Sequence, residues 1–252
     1  MLILIKRLTI FGAFCMAACG PKWITAKPPL GAAVPLHYKE ATKRPSRLRF
    51  QLSNSTKAKV FLAKRGVTVI DGERELSVSV RYPLPVSPPQ ETDLRASFAI
   101  MHDHKDVVEL IQRLKIEDEK SPTVIEAKLQ AAFKPNYSRG FDLASRVART
   151  MEGDCTEAAL LLTAVLRRAN IPAHVVLGNA VVRGENNAAY GHAWVEYYDG
   201  KEWKLGDIAL YDTPKDAVLR YPLFVMRNES PAFSVDLMNH FAKGLPKAVW
   251  MD

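Results

Sequence analysis

The sequence predicts an α+β fold in which one apolar helix, bearing a cysteine at its first turn, packs on an antiparallel sheet behind a small N-terminal β subregion. Three observations carry this. Gly153-Asp154-Cys155-Thr156-Glu157 opens an apolar run that closes at Arg167-Arg168-Ala169-Asn170-Ile171-Pro172. Two stretches rich in aromatic and β-branched residues, 192–198 and 201–207, flank Asp199-Gly200. Leu48, Phe50 and Leu52, and later Leu76, Val78, Val80 and Tyr82, alternate with other residues as in half-buried strands.

The first 18 residues read as a signal peptide: Lys6 and Arg7, then an apolar stretch too short to span a bilayer. The boundary Met16-Ala17-Ala18-Cys19 resembles a bacterial lipobox, which implies lipid on Cys19; ordinary secretion is the alternative. Gly20 at the next position suggests an outer-membrane lipoprotein facing the periplasm. Residues 19–46 are proline-rich, poor in bulky apolar side chains, and read as a tether. Residues 47–90 form the β subregion, with Asp71-Gly72 as a hairpin signal. Residues 100–252 are then the main domain.

Within that domain, Val107, Leu110, Ile111 and Leu114 share a helical face, and Ser121-Pro122 opens a second helix with Ile125 and Leu129 inward. A third helix is expected over 142–150. In the fourth, Asp154 and Glu157 stand three apart as a capping box, and Asn170 suits a left-handed end. Cys155 therefore sits on a helix's first turn, where free amides and the dipole favour a thiolate.

Cysteine usage points the same way. Of Cys15, Cys19 and Cys155, the first leaves with the signal peptide and the second is the lipid site, so Cys155 is left without a disulfide partner. An unpaired cysteine in an exported protein is either a small buried apolar group or a reactive thiol. If Asp199-Gly200 is a two-residue loop, Tyr198 faces Lys201, Trp194 faces Leu205, and His192 faces Asp207. A carboxylate opposite an imidazole can fix its tautomer.

Together these residues resemble the transglutaminase-like superfamily, whose core is papain-like. The resemblance covers about residues 120 to 210 and rests on Gly153-Asp154-Cys155, Leu166 to Ala173, His192-Ala193-Trp194-Val195-Glu196, and Trp203 to Asp207. It implies a catalytic triad of Cys155, His192 and Asp207 acting on protein or peptide substrates through a thioester. Ile208-Ala209 after Asp207 departs from the family's usual Pro-Thr. The second oxyanion donor is left open, with Tyr137 a candidate. Hydrolysis of a peptide or carboxamide is the preferred outcome; protein cross-linking, or a silent binding module of the cell envelope, are the alternatives.

The composition, 48% hydrophobic and 25% charged, excludes a disordered or fibrous chain. The net charge of +8 is scattered and no nucleic-acid motif accompanies it, so nucleic acid is not an expected partner. His102-Asp103-His104 lacks further ligands and reads as a loop, and no metal or organic cofactor is expected.

Overall fold

A computed structural model describes strand residues 23–26, 33–34, 36–39, 48–51, 68–72 and 75–79, then residues 88–136, 141–182, 188–210, 218–226, 229–235, 237 and 248–251. The α+β class stands: among the described residues, helices pack beside an antiparallel sheet, and a second sheet is built from strands near the two ends of the chain.

The helices follow their sequence signals closely. Helix α1, Lys105–Leu114, is capped by His104, whose ring accepts the Asp106 amide. The His-Asp-His triplet is thus a helix start, and among the described residues no group of three or more His, Cys, Asp or Glu could hold a metal ion. Helix α2, Pro122–Ala132, begins at Ser121 with Pro122 in its first turn, where its missing N–H leaves no bond unmade. Helix α3, Ala144–Thr150, starts two residues later than expected. Helix α4, Cys155–Arg168, is buried from Thr156 through Arg167, and Asn170 closes it at φ 62°. None of the helices among the described residues is long and apolar enough to cross a membrane.

Helix α4 lies on the sheet that carries the site. Its strands are β2, Ala33–Val34; β9, Ala173–Val182; β10, Ala188–Tyr198; β11, Trp203–Gly206; and β12, Val218–Val225, while β7, Lys134–Pro135, and β8, Glu152–Gly153, form a separate short parallel pair. The sheet runs in the order β11-β10-β9-β12, and β2 also pairs with β10. Leu160, Leu161, Val165 and Leu166 of the helix meet Val175, Leu177, Ala193, Val195 and Tyr197 of the sheet in one buried core. Each of the leucines and valines among them contributes about 1.5–3 kcal/mol by leaving water. The opposite face of β10 carries His192, Trp194 and Glu196.

The other sheet has six strands: β1, Trp23–Ala26; β3, Leu36–Lys39; β4, Leu48–Gln51; β5, Thr68–Gly72; β6, Glu75–Ser79; and β13, Ala248–Met251. Its order is β1-β3-β13-β4-β6-β5, with β13 parallel to β3 and every other pair antiparallel. The sheet reaches beyond residues 47–90. The stretch read as a tether supplies β1 and β3 here and β2 beside β10, because Trp23-Ile24-Thr25 and Leu36-His37-Tyr38 are local β formers inside a proline-rich average. Asp71 and Gly72 end β5, paired with Leu76 and Glu75, so the hairpin connection follows them. Val80 and Tyr82 lie outside the described residues.

Candidate active site

The start of α4 is fixed by two acidic side chains. Asp154 Oδ1 accepts the Thr156 amide at 2.8 Å, and Glu157 Oε2 accepts the Asp154 amide at 3.0 Å, which completes the capping box. The other oxygen of the buried Glu157 accepts the Asp142 amide at 3.0 Å, tying the approach to α3 onto helix α4. Gly153 is glycine for a steric reason. A Cβ there would lie 2.4 Å from Glu157 Cβ and 2.8 Å from its Cγ.

These carboxylates reverse one expectation. Burial first, then the charge of Asp154, push the Cys155 thiol up to about 12; a hydrogen bond with the Ala193 backbone opposes them, while Asp207 and Glu157 add to the rise. The helix dipole was expected to stabilise a thiolate, but the Asp154 carboxylate already occupies first-turn amides and sets a negative charge beside the sulfur. Burial also raises Asp154 itself, with help from Glu157, to about 7. Asp154→Asn should keep the cap, since asparagine caps as well as aspartate, and remove the charge. Its stability should then lose a pH dependence: a carboxyl raised in the fold stabilises fully below its unfolded value of about 3.9, and that contribution declines as pH rises through about 7. Iodoacetamide alkylation of Cys155 at pH 8 should be several-fold faster in Asp154→Asn; an unchanged rate would mean that Asp154 does not hold the thiol protonated.

Strand β10 presents the imidazole. Along one edge β10 pairs with β2 at residues 189–190 and with β11 at residues 195–198. Between them, residues 191–194 have no strand on that edge among the described residues, and the Cys155 thiol meets the Ala193 backbone there. His192 is buried; its ring stacks on Trp194 with centroids 6.1 Å apart and meets Tyr190 edge-on at 6.0 Å. Its Nε2 lies 2.8 Å from Asp207 Oδ2. Its Nδ1 is buried and has no hydrogen-bond partner among the described residues. With Nε2–H assigned to the carboxylate, the neutral ring keeps its lone pair at Nδ1.

The register differs from the one expected. Tyr198 pairs with Trp203 and Val195 with Gly206, so the loop is the four residues 199–202 and every partner shifts by two. The cause is Asp199, whose Oδ1 accepts the amides of both Lys201 and Glu202 at 2.9 Å, with Gly200 supplying φ 97°. An even shift preserves faces. Asp207 follows β11, and extending the register sets it opposite Trp194 and diagonal to His192, a separation these side chains bridge.

Asp207 is held on every side. Its amide donates to Glu126 Oε1 at 2.9 Å, its Oδ1 accepts the Ala209 amide at 3.0 Å, and its Oδ2 accepts from Arg220 Nε at 2.8 Å and Nη2 at 2.6 Å. Burial alone would raise this carboxyl, but His192 and Arg220 outweigh it and hold it well below the usual carboxylate range. Tyr190, half-buried, has its phenol raised chiefly by burial and then by the negative charges of Asp207 and Cys155.

The structure thus brings Cys155, His192 and Asp207 to one edge of β10. Cys19 and Tyr137 lie outside the described residues. Glu126, Tyr190 and Arg220 were missed by sequence reasoning; only Tyr190 had a local signal, two residues before His192 on the same strand face. A second cluster was also missed: buried His174 bridges Asp93 Oδ1 at 3.1 Å and Glu196 Oε2 at 3.2 Å and stacks against Trp203. It anchors the segment before α1 to the back of the sheet.

A cysteine at the start of a buried helix, facing a strand whose histidine is paired with an aspartate beyond the neighbouring strand, defines the papain-like arrangement. Residues 114–208 match the model of the transglutaminase-like superfamily, and this part of the chain is similar to a transglutaminase-like core. Among solved structures, the chain is similar to a proposed cysteine protease from Cytophaga hutchinsonii at 13% identity, over 75% of this chain and 78% of that one, with a TM-score of 0.43. It is also similar to the periplasmic domain of TgpA from Pseudomonas aeruginosa at 28% identity, over 41% and 40% of the two chains, with a TM-score of 0.30. The ethylmercury-bound form of that domain aligns over 78% and 87% at 17% identity and a TM-score of 0.38. No curated protein matches the sequence.

Proposed function

We propose that the chain is a cysteine hydrolase of peptide or carboxamide bonds with Cys155 as nucleophile, His192 as general base and acid, and Asp207 as the group that orients the imidazole. The observation that carries the reading is the buried His192 ring, tied through Nε2 to Asp207 with Nδ1 unpartnered, beside the strand edge that receives the thiol. The thiol is protonated at rest, so the S–H proton moves to His192 Nδ1 as sulfur attacks the carbonyl carbon. The Cys155 amide, the first-turn donor that Asp154 does not occupy, is the α4 group left for the developing oxyanion. The tetrahedral intermediate collapses, the C–N bond breaks, and the nitrogen leaves with the proton from His192. Water then attacks the thioester carbonyl and gives a proton to His192; the C–S bond breaks, His192 passes that proton to the leaving sulfur, and a carboxylic acid and the thiol are released.

Water outcompetes amines by concentration, which favours hydrolysis over cross-linking. The test offers glutamine-containing peptides to the full chain with and without a primary amine, and reads products by mass spectrometry. Cleaved or deamidated peptide lost in Cys155→Ala supports the reading; amine incorporation makes the chain a cross-linker, and no Cys155-dependent product leaves a binding module. The same reading has Cys19 carry lipid and the folded part face the periplasm. Cys19→Ser should move the protein from the detergent-rich to the aqueous phase, and unchanged partitioning contradicts the anchor.

A further inference from the structure

We propose that Arg220 is a positioning residue of this site: its guanidinium locks the Asp207 carboxylate, and through it fixes which nitrogen of His192 faces the thiol. The proposal rests on the triad reading above and adds a fourth member from a distant strand.

The sheet explains how Arg220 arrives there. It stands on β12 opposite Ala180 of β9, which in turn stands opposite Tyr190 of β10; in the next row Gly178 stands opposite His192. Adjacent strands lie about 4.8 Å apart, so a side chain from β12 reaches Asp207 only by passing over β9. Gly178 and Ala180 keep that passage clear, since neither has a side chain beyond Cβ.

The contacts are specific. Nε and Nη2 of Arg220 converge on Oδ2, the same oxygen that receives His192 Nε2, while Ala209 occupies Oδ1. The carboxylate therefore cannot rotate, and the imidazole has one acceptor at one position. Arg220 is only 5% exposed, and a buried guanidinium needs a buried anion. Sharing Oδ2 among three N–H donors also keeps Asp207 a weak base, so the proton on Nε2 stays on the ring while Nδ1 does the chemistry. A simple stabilising ion pair would need no shared oxygen.

The test compares wild type, Arg220→Met and Arg220→Lys as full chains in detergent. Thermal unfolding confirms that each variant is folded, and two further readouts follow. The first is the kcat and KM of the Cys155-dependent reaction. The second is the proton NMR signal of the His192 Nε2–H, which reports its hydrogen bond whether or not the chain turns over substrate. Arg220→Met should lower kcat about 10- to 100-fold, the range over which partners of directly acting groups are felt, with KM within twofold. The Nε2–H signal should move or broaden, and Arg220→Lys should recover part of both. A folded Arg220→Met with unchanged kcat and an unmoved ring-proton signal overturns the proposal, as does a kcat loss that only tracks the unfolded fraction. If wild type shows no Cys155-dependent turnover, the triad reading fails, and the ring-proton signal alone decides whether Arg220 holds the His–Asp pair.

Discussion

His192→Ala is expected to lower kcat/KM by about 10³- to 10⁴-fold, within the range that general acid–base catalysis contributes, while the protein stays folded. The ring is the sole proton acceptor proposed for a thiol that rests protonated near 12, so its removal leaves the nucleophile without a base. The fold survives because Asp207 keeps both Arg220 bonds and its bond from Ala209. Asp207→Ala differs. It strands a buried guanidinium and a buried imidazole together, a change that typically costs 3–5 kcal/mol, so Asp207→Asn is the fairer probe of orientation. Steady-state kinetics with a melting curve separates the cases. A His192→Ala enzyme within tenfold of wild type would remove the imidazole from the mechanism.

Gly153→Ala should disturb both stability and the nucleophile. The new methyl meets Glu157 Cβ at 2.4 Å, closer than real side chains approach, and the atoms it meets are the root of that side chain and not its flexible end. Glu157 must move, and with it go its bonds to the amides of Asp154 and Asp142. Overpacking costs about 1–3 kcal/mol and a broken cap about 1 kcal/mol. At about 2–4 °C per kcal/mol for a chain of this size, differential scanning calorimetry should show a clear fall in Tm. Turnover should fall further than stability alone explains, because Cys155 is the next residue but one. An unchanged Tm and unchanged turnover would mean that the helix start relaxes freely.

How much was legible depended on how local each signal was. The start and end of α4 were written within a few residues: Asp154 and Glu157 as a box, Asn170 at positive φ before Pro172. The hairpin was legible, but its register was not. The Asp-Gly pair suggested a two-residue loop, whereas Asp199 bonds two amides ahead of it and stretches the loop to four. Because the error was even, the face shared by His192 and Asp207 was still read correctly. The thiol was misjudged since a dipole argument overlooks the burial of the sulfur and, after it, the Asp154 carboxylate beside it. Glu126 and Arg220 gave no sign at all. Each is a single charged residue whose partner lies 81 or 13 positions away, and only the assembled sheet joins them. The six-stranded sheet was half read, since its strands come from both ends of the chain and no local pattern pairs β13 with β3.

The most direct test of the account is to trap the acyl-enzyme. The full chain is incubated with an electrophilic peptide ester or amide, quenched in acid, digested, and the peptide bearing Cys155 is examined by mass spectrometry. The account predicts an acyl adduct on Cys155 in wild type, a strongly reduced adduct in His192→Ala, and no adduct and no turnover in Cys155→Ala. Turnover that persists in Cys155→Ala, or an adduct formed on another residue, would contradict it.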